Sequence, residues 1–238
     1  MKKTLITLPA LVLLILPLLI GCRTEKKADA QPVSEASGPE MVEPVSVYEN
    51  DFVKVVHVVL DPGQALASHE GEERIIYSLS DYAIDWEEGG QDLGTKAWKT
   101  GEVHVHEAGQ HAAENKGDSR AEWLAFVRKT SELPTCEGLS LEKDVNLVAG
   151  EAARMLYDDE SFRVTEINLK TGESLPMHDG INRVIYALSD YTISYWSDET
   201  KTTEKVFKTG EAHWHEGCQH SMQNNGDTVA RYLVVAFK

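Results

Sequence analysis

Eight of the nine histidines in this 238-residue chain fall into two sets of four, and the second set repeats the first 109 residues later. His69, His104, His106 and His111 are matched by His178, His213, His215 and His220. Imidazole is a nitrogen ligand for Zn, Cu, Fe or Ni, and it is the side chain that changes charge nearest neutral pH. A repeated spacing of this kind therefore points to a metal site or to a proton-dependent contact. Residues i and i+2 of a strand share a face, so His104 with His106, and His213 with His215, each present two imidazoles to one side. If that side is a barrel interior, each set of four makes a nitrogen-rich site. The reverse alternation turns Val103 and Val105 (Ala212 and Trp214) inward, and the imidazoles outward to solvent or to an interdomain contact.

Other chemistry-bearing residues repeat with them. Arg74 and Arg183 are suited to clamping a carboxylate or other anion bidentately, or to structural pairing with Glu73, Asp81 or Asp190. Gln110 and Gln219 directly precede the last histidine of each set and are candidate ligand contacts, with turn support as the alternative. Glu107 and Glu216 follow the His-x-His pairs, where they either orient an imidazole or stand as solvated turn carboxylates. His57 is matched by Glu166 and reads as a surface strand residue. Cys136 lies between the repeats and Cys218 within the second histidine strip. A disulfide would pin the connecting segment over the second site; a free Cys218 would offer that site a sulfur ligand.

The elements that must position these residues are short. Residues 48–129 align with 157–238 without a gap, with about 31 of 82 positions identical, so the chain contains a duplication. Within each copy, β-branched and aromatic runs are broken by turn signals every 8–12 residues or so, as in an all-β barrel or sandwich. The expected strands are 52–60, 74–79, 83–86, 96–99, 102–106 and 122–127 with their counterparts, and little helix is expected. This divides the chain into residues 45–129 and 147–238 as two domains, joined by a polar linker over 130–146.

The start of the chain is of another kind. Lys2 and Lys3 precede an apolar run, Leu5–Ile20, that ends in Leu19-Ile20-Gly21-Cys22. This resembles a bacterial lipoprotein signal over residues 1–21, with Cys22 the lipidated residue and 22–44 a flexible tether. The expected location is the cell envelope, in the periplasm, at the outer membrane or at the cell surface. The formal net charge of −16 argues against nucleic-acid binding, which needs clustered Lys and Arg.

Gly63, five residues, His69 and then Arg74-Ile-Ile-Tyr resemble the first motif of the cupin superfamily, as do Gly172, His178 and Arg183. Gly101 to His111-x-x-x-Asn115 and Gly210 to His220-x-x-x-Asn224 resemble the second motif. The nearest likeness is to small cupins with a His-x-His-x-x-His first motif. The resemblance implies an all-β chain of two tandem cupin-type (double-stranded β-helix or jelly-roll) barrels, a bicupin. In metal-bearing cupins three first-motif ligands join the second-motif histidine around one divalent ion. Here Gly71 and Gly180 stand at the second of those positions, and Arg74 and Arg183 at the third. The implied function is a membrane-anchored protein that binds a divalent metal, a small anionic ligand, or both. The alternatives are a metal-dependent dioxygenase- or isomerase-type enzyme acting on a small carboxylic acid, and a degenerate cupin with a structural or interaction role. Homo-oligomers are common in such folds.

Overall fold

A computed structural model describes residues 38–139, 141–197 and 200–238. The signal segment 1–21, Cys22 and the tether as far as residue 37 lie outside the described residues. The first barrel is a sandwich of two five-stranded sheets. One runs β1 (Glu40–Met41), β4 (Gln64–Gly71), β9 (Gly109–Glu114), β6 (Tyr82–Glu88) and β7 (Gln91–Trp98). The other runs β2 (Val45–Glu49), β3 (Val53–Leu60), β10 (Ala121–Arg128), β5 (Arg74–Ser78) and β8 (Val103–His106).

The second barrel repeats this plan. One sheet is β11 (Ala153–Asp158), β12 (Phe162–Leu169), β19 (Ala230–Phe237), β14 (Arg183–Ala187) and β17 (Ala212–His215). Its partner is β13 (Ser174–Gly180), β18 (Cys218–Asn224), β15 (Tyr191–Ser197) and β16 (Thr200–Phe207). The one α-helix among the described residues, α1 (Val145–Val148), has four residues.

Two departures from the sequence expectation concern the site. β4 and β9 were not among the expected strands, because Gln-Ala-Leu-Ala-Ser-His-Glu-Gly and Gly-Gln-His-Ala-Ala-Glu hold no β-branched residue. They are strands because they pair with each other, with His69 opposite His111 and Gly71 opposite Gly109. The ordered body also begins before Val45: β1 pairs in parallel with β4, and the Val42 amide donates to the Ala65 carbonyl.

The barrels meet through an apolar seam. Val53, Val55, Ile75, Leu124 and Phe126 of the first pack with Phe162, Val164, Val184, Val235 and Phe237 of the second in one buried cluster. On β3 the odd positions Val53 and Val55 serve this seam, while Val56 and Val58 face the first barrel's interior. Arg128 fastens the edge, donating to the carbonyls of Ser161 and Lys238 with its guanidinium 5.3 Å from the Phe162 ring centre.

The expected linker touches the second barrel. Residues 134–139 and 141–152 lie across its mouth, where the Pro134 carbonyl accepts from Asn182 and Val145 enters the barrel's core. Asp144 caps α1 and pairs with Arg163 at 3.1 Å. Cys136 and Cys218 are disulfide-bonded with Cα atoms 5.6 Å apart, so Cys218 is not available as a metal ligand. Closing a loop of 82 residues restricts the unfolded chain. Replacing both cysteines by serine should therefore lower the unfolding free energy by about 2–4 kcal/mol. Denaturant titration of the two proteins measures this, and a change within error would mean that the bond contributes no stability.

Candidate functional site

The direction of the His-x-His pairs follows from the seam. β8 and β17 lie in the two sheets that face each other, so the outer side of each strand is an apolar interface rather than water. Val103 and Val105, and Ala212 and Trp214, pack there. Alternation then sends His104, His106, His213 and His215 into the barrels. In the first barrel all four histidines of the set line one cavity of about 760 Å³, together with Arg74.

These imidazoles belong to a continuous arc of rings. Trp123, Tyr82 and Trp98 follow one another with centres 5.3 and 5.4 Å apart. His104 stacks on Trp98 at 4.5 Å, and His106 lies 5.0 Å beyond it. Trp86 lies 4.4 Å from His106 and 5.2 Å from His111, which is 4.1 Å from His69. The second barrel reproduces the arc with smaller rings: Tyr232, Tyr191, Phe207, His213, His215, Tyr195, His220 and His178. Edge and face contacts between such rings stabilise the wall in both copies.

The arginines occupy the space between the first and second cupin motifs. Nη1 of Arg74 donates to the carbonyls of Glu72 and Glu107, and Nη1 of Arg183 to those of Ile181 and Glu216. Glycine is needed beside them: a Cβ at Gly71 would lie 2.7 Å from Nη1 of Arg74 and collide with the His111 ring, and one at Gly180 would lie 2.6 Å from Nη1 of Arg183. The glycine and the arginine at the two ligand positions are thus one packing unit. The carboxylates proposed from sequence as arginine partners are engaged elsewhere. Asp81 binds Lys99, Asp190 binds Lys208, and Glu73 pairs with Arg128. Among the described residues neither Arg74 nor Arg183 has an acidic side chain within 4.0 Å, the ion-pair range.

A divalent ion needs several ligand atoms converging on one point. Among the described residues no group of three or more His, Cys, Asp or Glu is so placed. The donor chemistry differs between the barrels. Nδ1 of His69, His111, His178 and His220 each donates to the carbonyl two residues earlier, at 2.8, 3.2, 2.7 and 3.2 Å, which leaves Nε2 as the lone-pair nitrogen of the neutral ring. In the second barrel that nitrogen of His220 accepts from Nη2 of Arg183 at 3.0 Å. The guanidinium is the cation at the centre of this arrangement, and it repels a second one. In the second barrel the residues present do not fit a divalent metal; in the first, Nε2 of His69 and His111 keep their lone pairs beside the Arg74 guanidinium, which opposes a second cation.

The two sites differ in what fills them. In the second barrel Met222 stands where the first has Ala113, and Val234 where it has Ala125. With the cap of residues 134–139 and 141–152 over its mouth, the space left is two cavities of about 30 and 20 Å³, room for one or two waters. Arg183 is held there by His220 and by the Tyr195 hydroxyl beside it. In the first barrel Trp86 replaces that tyrosine. Among the described residues Nη2 and Nε of Arg74 have no hydrogen-bond partner, although the side chain is only 6% exposed. His69 is exposed at the open mouth, while His178 is buried beneath the cap.

Gln110 and Gln219 do not join either site. Each neighbours an inward-pointing histidine on a strand and so points the other way; Gln110 is exposed and absent from the cavity wall. Glu107 contributes its backbone carbonyl rather than its side chain. His57 pairs with Glu122 at 2.8 Å. The tryptophans of the cavity were missed from sequence, although the exchange of Trp86, Trp98 and Trp123 for smaller rings in the second copy is visible in the alignment.

Burial, and after it the charge of Arg74, push the His104 and His111 pKa values down to about 4; burial, then His104 and Arg74, push that of His106 down to about 3. In the second barrel burial lowers His213 to about 4 and lowers His178, His215 and His220 as well. The unfolded chain protonates these groups near pH 6.5 and the folded one does not, so below that pH the unfolded state binds more protons. Stability should therefore be full above pH 6.5 and fall continuously between pH 6.5 and 4. Urea unfolding at half-unit pH steps checks this, and a flat profile over that window would mean that the imidazoles are not held neutral.

No family model matches the chain, and no curated protein matches it. Solved structures do. AerE from Microcystis aeruginosa aligns with a TM-score of 0.57 at 16% identity, covering 82% of this chain and 97% of that one. An oxalate decarboxylase from Lactobacillus farciminis, in its formate complex, aligns at 0.59 and 14% identity, covering 82% and 80%. An oxalate decarboxylase from Bacillus subtilis aligns at 0.60 and 13%, covering 81% and 71%, and a further structure of that enzyme concerns its Mn(II) centres. The described body of this chain has the cupin fold, as two jelly-roll barrels in tandem.

Proposed function

We propose that this chain is a cell-envelope binding protein that takes one small carboxylate into its first barrel, with Arg74 as the counter-charge. The observation that carries this is a guanidinium 6% exposed, with no acidic partner within ion-pair distance among the described residues, lining a cavity of about 760 Å³. Glu88 acts on it only from beyond ion-pair distance, and a buried cation without a direct partner is costly to keep. Nη1 is tied to two backbone carbonyls, which leaves Nη2 and Nε, the edge that matches a carboxylate in bidentate geometry. Burial lowers the Arg74 pKa to about 10, so the group is charged at neutral pH. The second barrel, filled and capped, serves as the scaffold against which the first is built.

Mn(II) in the Bacillus subtilis oxalate decarboxylase keeps a metal reading in view, and His69, His104, His106 and His111 are the residues that would hold such an ion. The arginine among them weighs against it. Calorimetric titration with octanoate, acetate and oxalate, with and without Mn²⁺ or Zn²⁺, separates the two readings. The expected result is one carboxylate site per chain without metal, weakened at least about tenfold by Arg74→Met and retained by Arg183→Met. Carboxylate binding that requires metal, or that survives Arg74→Met unchanged, would overturn it.

The envelope location rests on the Leu19-Ile20-Gly21-Cys22 sequence. Among the described residues no helix is long and apolar enough to cross a membrane. An acylated cysteine would hold the body at a membrane surface. In a bacterial host the wild type should pellet with membranes, and Cys22→Ala should not be acylated by intact-mass measurement. An unmodified Cys22 in the mature protein rejects the anchor.

A further inference from the structure

The ring arc occurs in both barrels, so by itself it is a packing device. The differences between the copies carry more. Three positions that are Tyr195, Phe207 and Tyr232 in the second barrel are Trp86, Trp98 and Trp123 in the first. A packed core answers larger rings with smaller neighbours that restore contact. Here the rings are larger, their neighbours Ala113 and Ala125 are smaller, and the interior is open rather than filled. Where the second barrel has a packed aromatic core, the first has an aromatic wall facing free space.

Resting on the carboxylate reading of Arg74, we propose that the ligand of the first barrel is a monocarboxylate with a flat aromatic body, stacked along the Trp86–Trp98–Trp123 wall. Arg74 sits opposite His106 across the β5–β8 ladder, on the Trp86 side of the tryptophan wall, while Trp98 and Trp123 form the other side. The ligand so implied is polar at one end and apolar along its length. One buried cation calls for one carboxylate. At the mouth, Glu43, Glu70 and Glu72 outnumber Lys54, so a second negative charge on the ligand is disfavoured. The cavity also falls in the size range of sites for ligands of ten or more heavy atoms, and an oxalate-sized anion would leave its walls bare.

Naphthoate, octanoate, oxalate and naphthylmethanol distinguish the contributions, read by quenching of tryptophan fluorescence and by calorimetry on the whole mature protein. Naphthoate should bind at least about tenfold more tightly than octanoate, from stacking on two rings. Naphthylmethanol should lose about as much as Arg74→Met loses. Trp98→Leu should weaken naphthoate several-fold and leave octanoate unchanged. The double exchange Ala113→Met with Ala125→Val installs the residues of the second barrel and should abolish naphthoate binding, with a native far-ultraviolet circular dichroism spectrum showing that the fold persists. Octanoate binding as tightly as naphthoate overturns the aromatic assignment and leaves the carboxylate reading standing. Failure of every carboxylate overturns both. Undiminished naphthoate affinity in the folded double variant places the ligand outside the barrel and overturns the proposal.

Discussion

The apolar seam between the barrels is the constraint on which the site depends. A strand in a lone sandwich can choose which face to turn to water. β3, β5, β8 and β10 cannot, because their outer faces are covered by β12, β14, β17 and β19 of the second copy. Apolar residues are required on the seam side, and the alternation is then set by which side chains tolerate it. Val103 and Val105 do. Imidazoles, with two polar nitrogens each, are less costly beside a polar and partly open interior. The seam therefore explains why the histidines line the barrels, even though it contains none of them.

The second constraint is local. At two positions where the cupin motif carries ligands, this chain has Gly71 with Arg74 and Gly180 with Arg183, and the structure shows why they come as pairs. The guanidinium lies where a side chain on the glycine would be, tied down by two carbonyl groups that any sequence supplies. A permanent cation is then built into each barrel. In the second it is neutral histidine and tyrosine that receive it, and the barrel closes over them. In the first, replacement of that tyrosine by Trp86 leaves half of the guanidinium facing a cavity. Two copies that share about 31 of 82 residues have become chemically unlike through a handful of interior exchanges and a cap.

Much of the fold was legible beforehand. The gap-free repeat, the turn signals and the glycine–histidine spacings pointed to two jelly-roll barrels, and the solved structures of that architecture agree. Most strands with β-branched runs were found, although β2, with Val45 and Val47, was not. β4 and β9, which carry His69 and His111, were not, because their strand character comes from pairing with each other. The histidines and arginines were singled out from their repeated spacing, and Gln110 and Gln219 with them; neighbours in a strand point to opposite faces, and the inward histidine turns the glutamine before it away from the interior.

Sequence alone determined the inventory: which residues repeat, which ligand positions were lost, and that an arginine came with a glycine each time. Only the tertiary structure decided direction and space. The His-x-His pairs allowed two alternations of equal local merit, and the choice lay in a sheet from the other half of the chain. The open and filled barrels differ through Ala113 and Met222, and through residues 134–139 and 141–152 folding over one mouth under a disulfide that joins positions 82 apart. Periodicity reports on neighbours along the chain. Whether a cavity is empty depends on atoms that arrive from everywhere else.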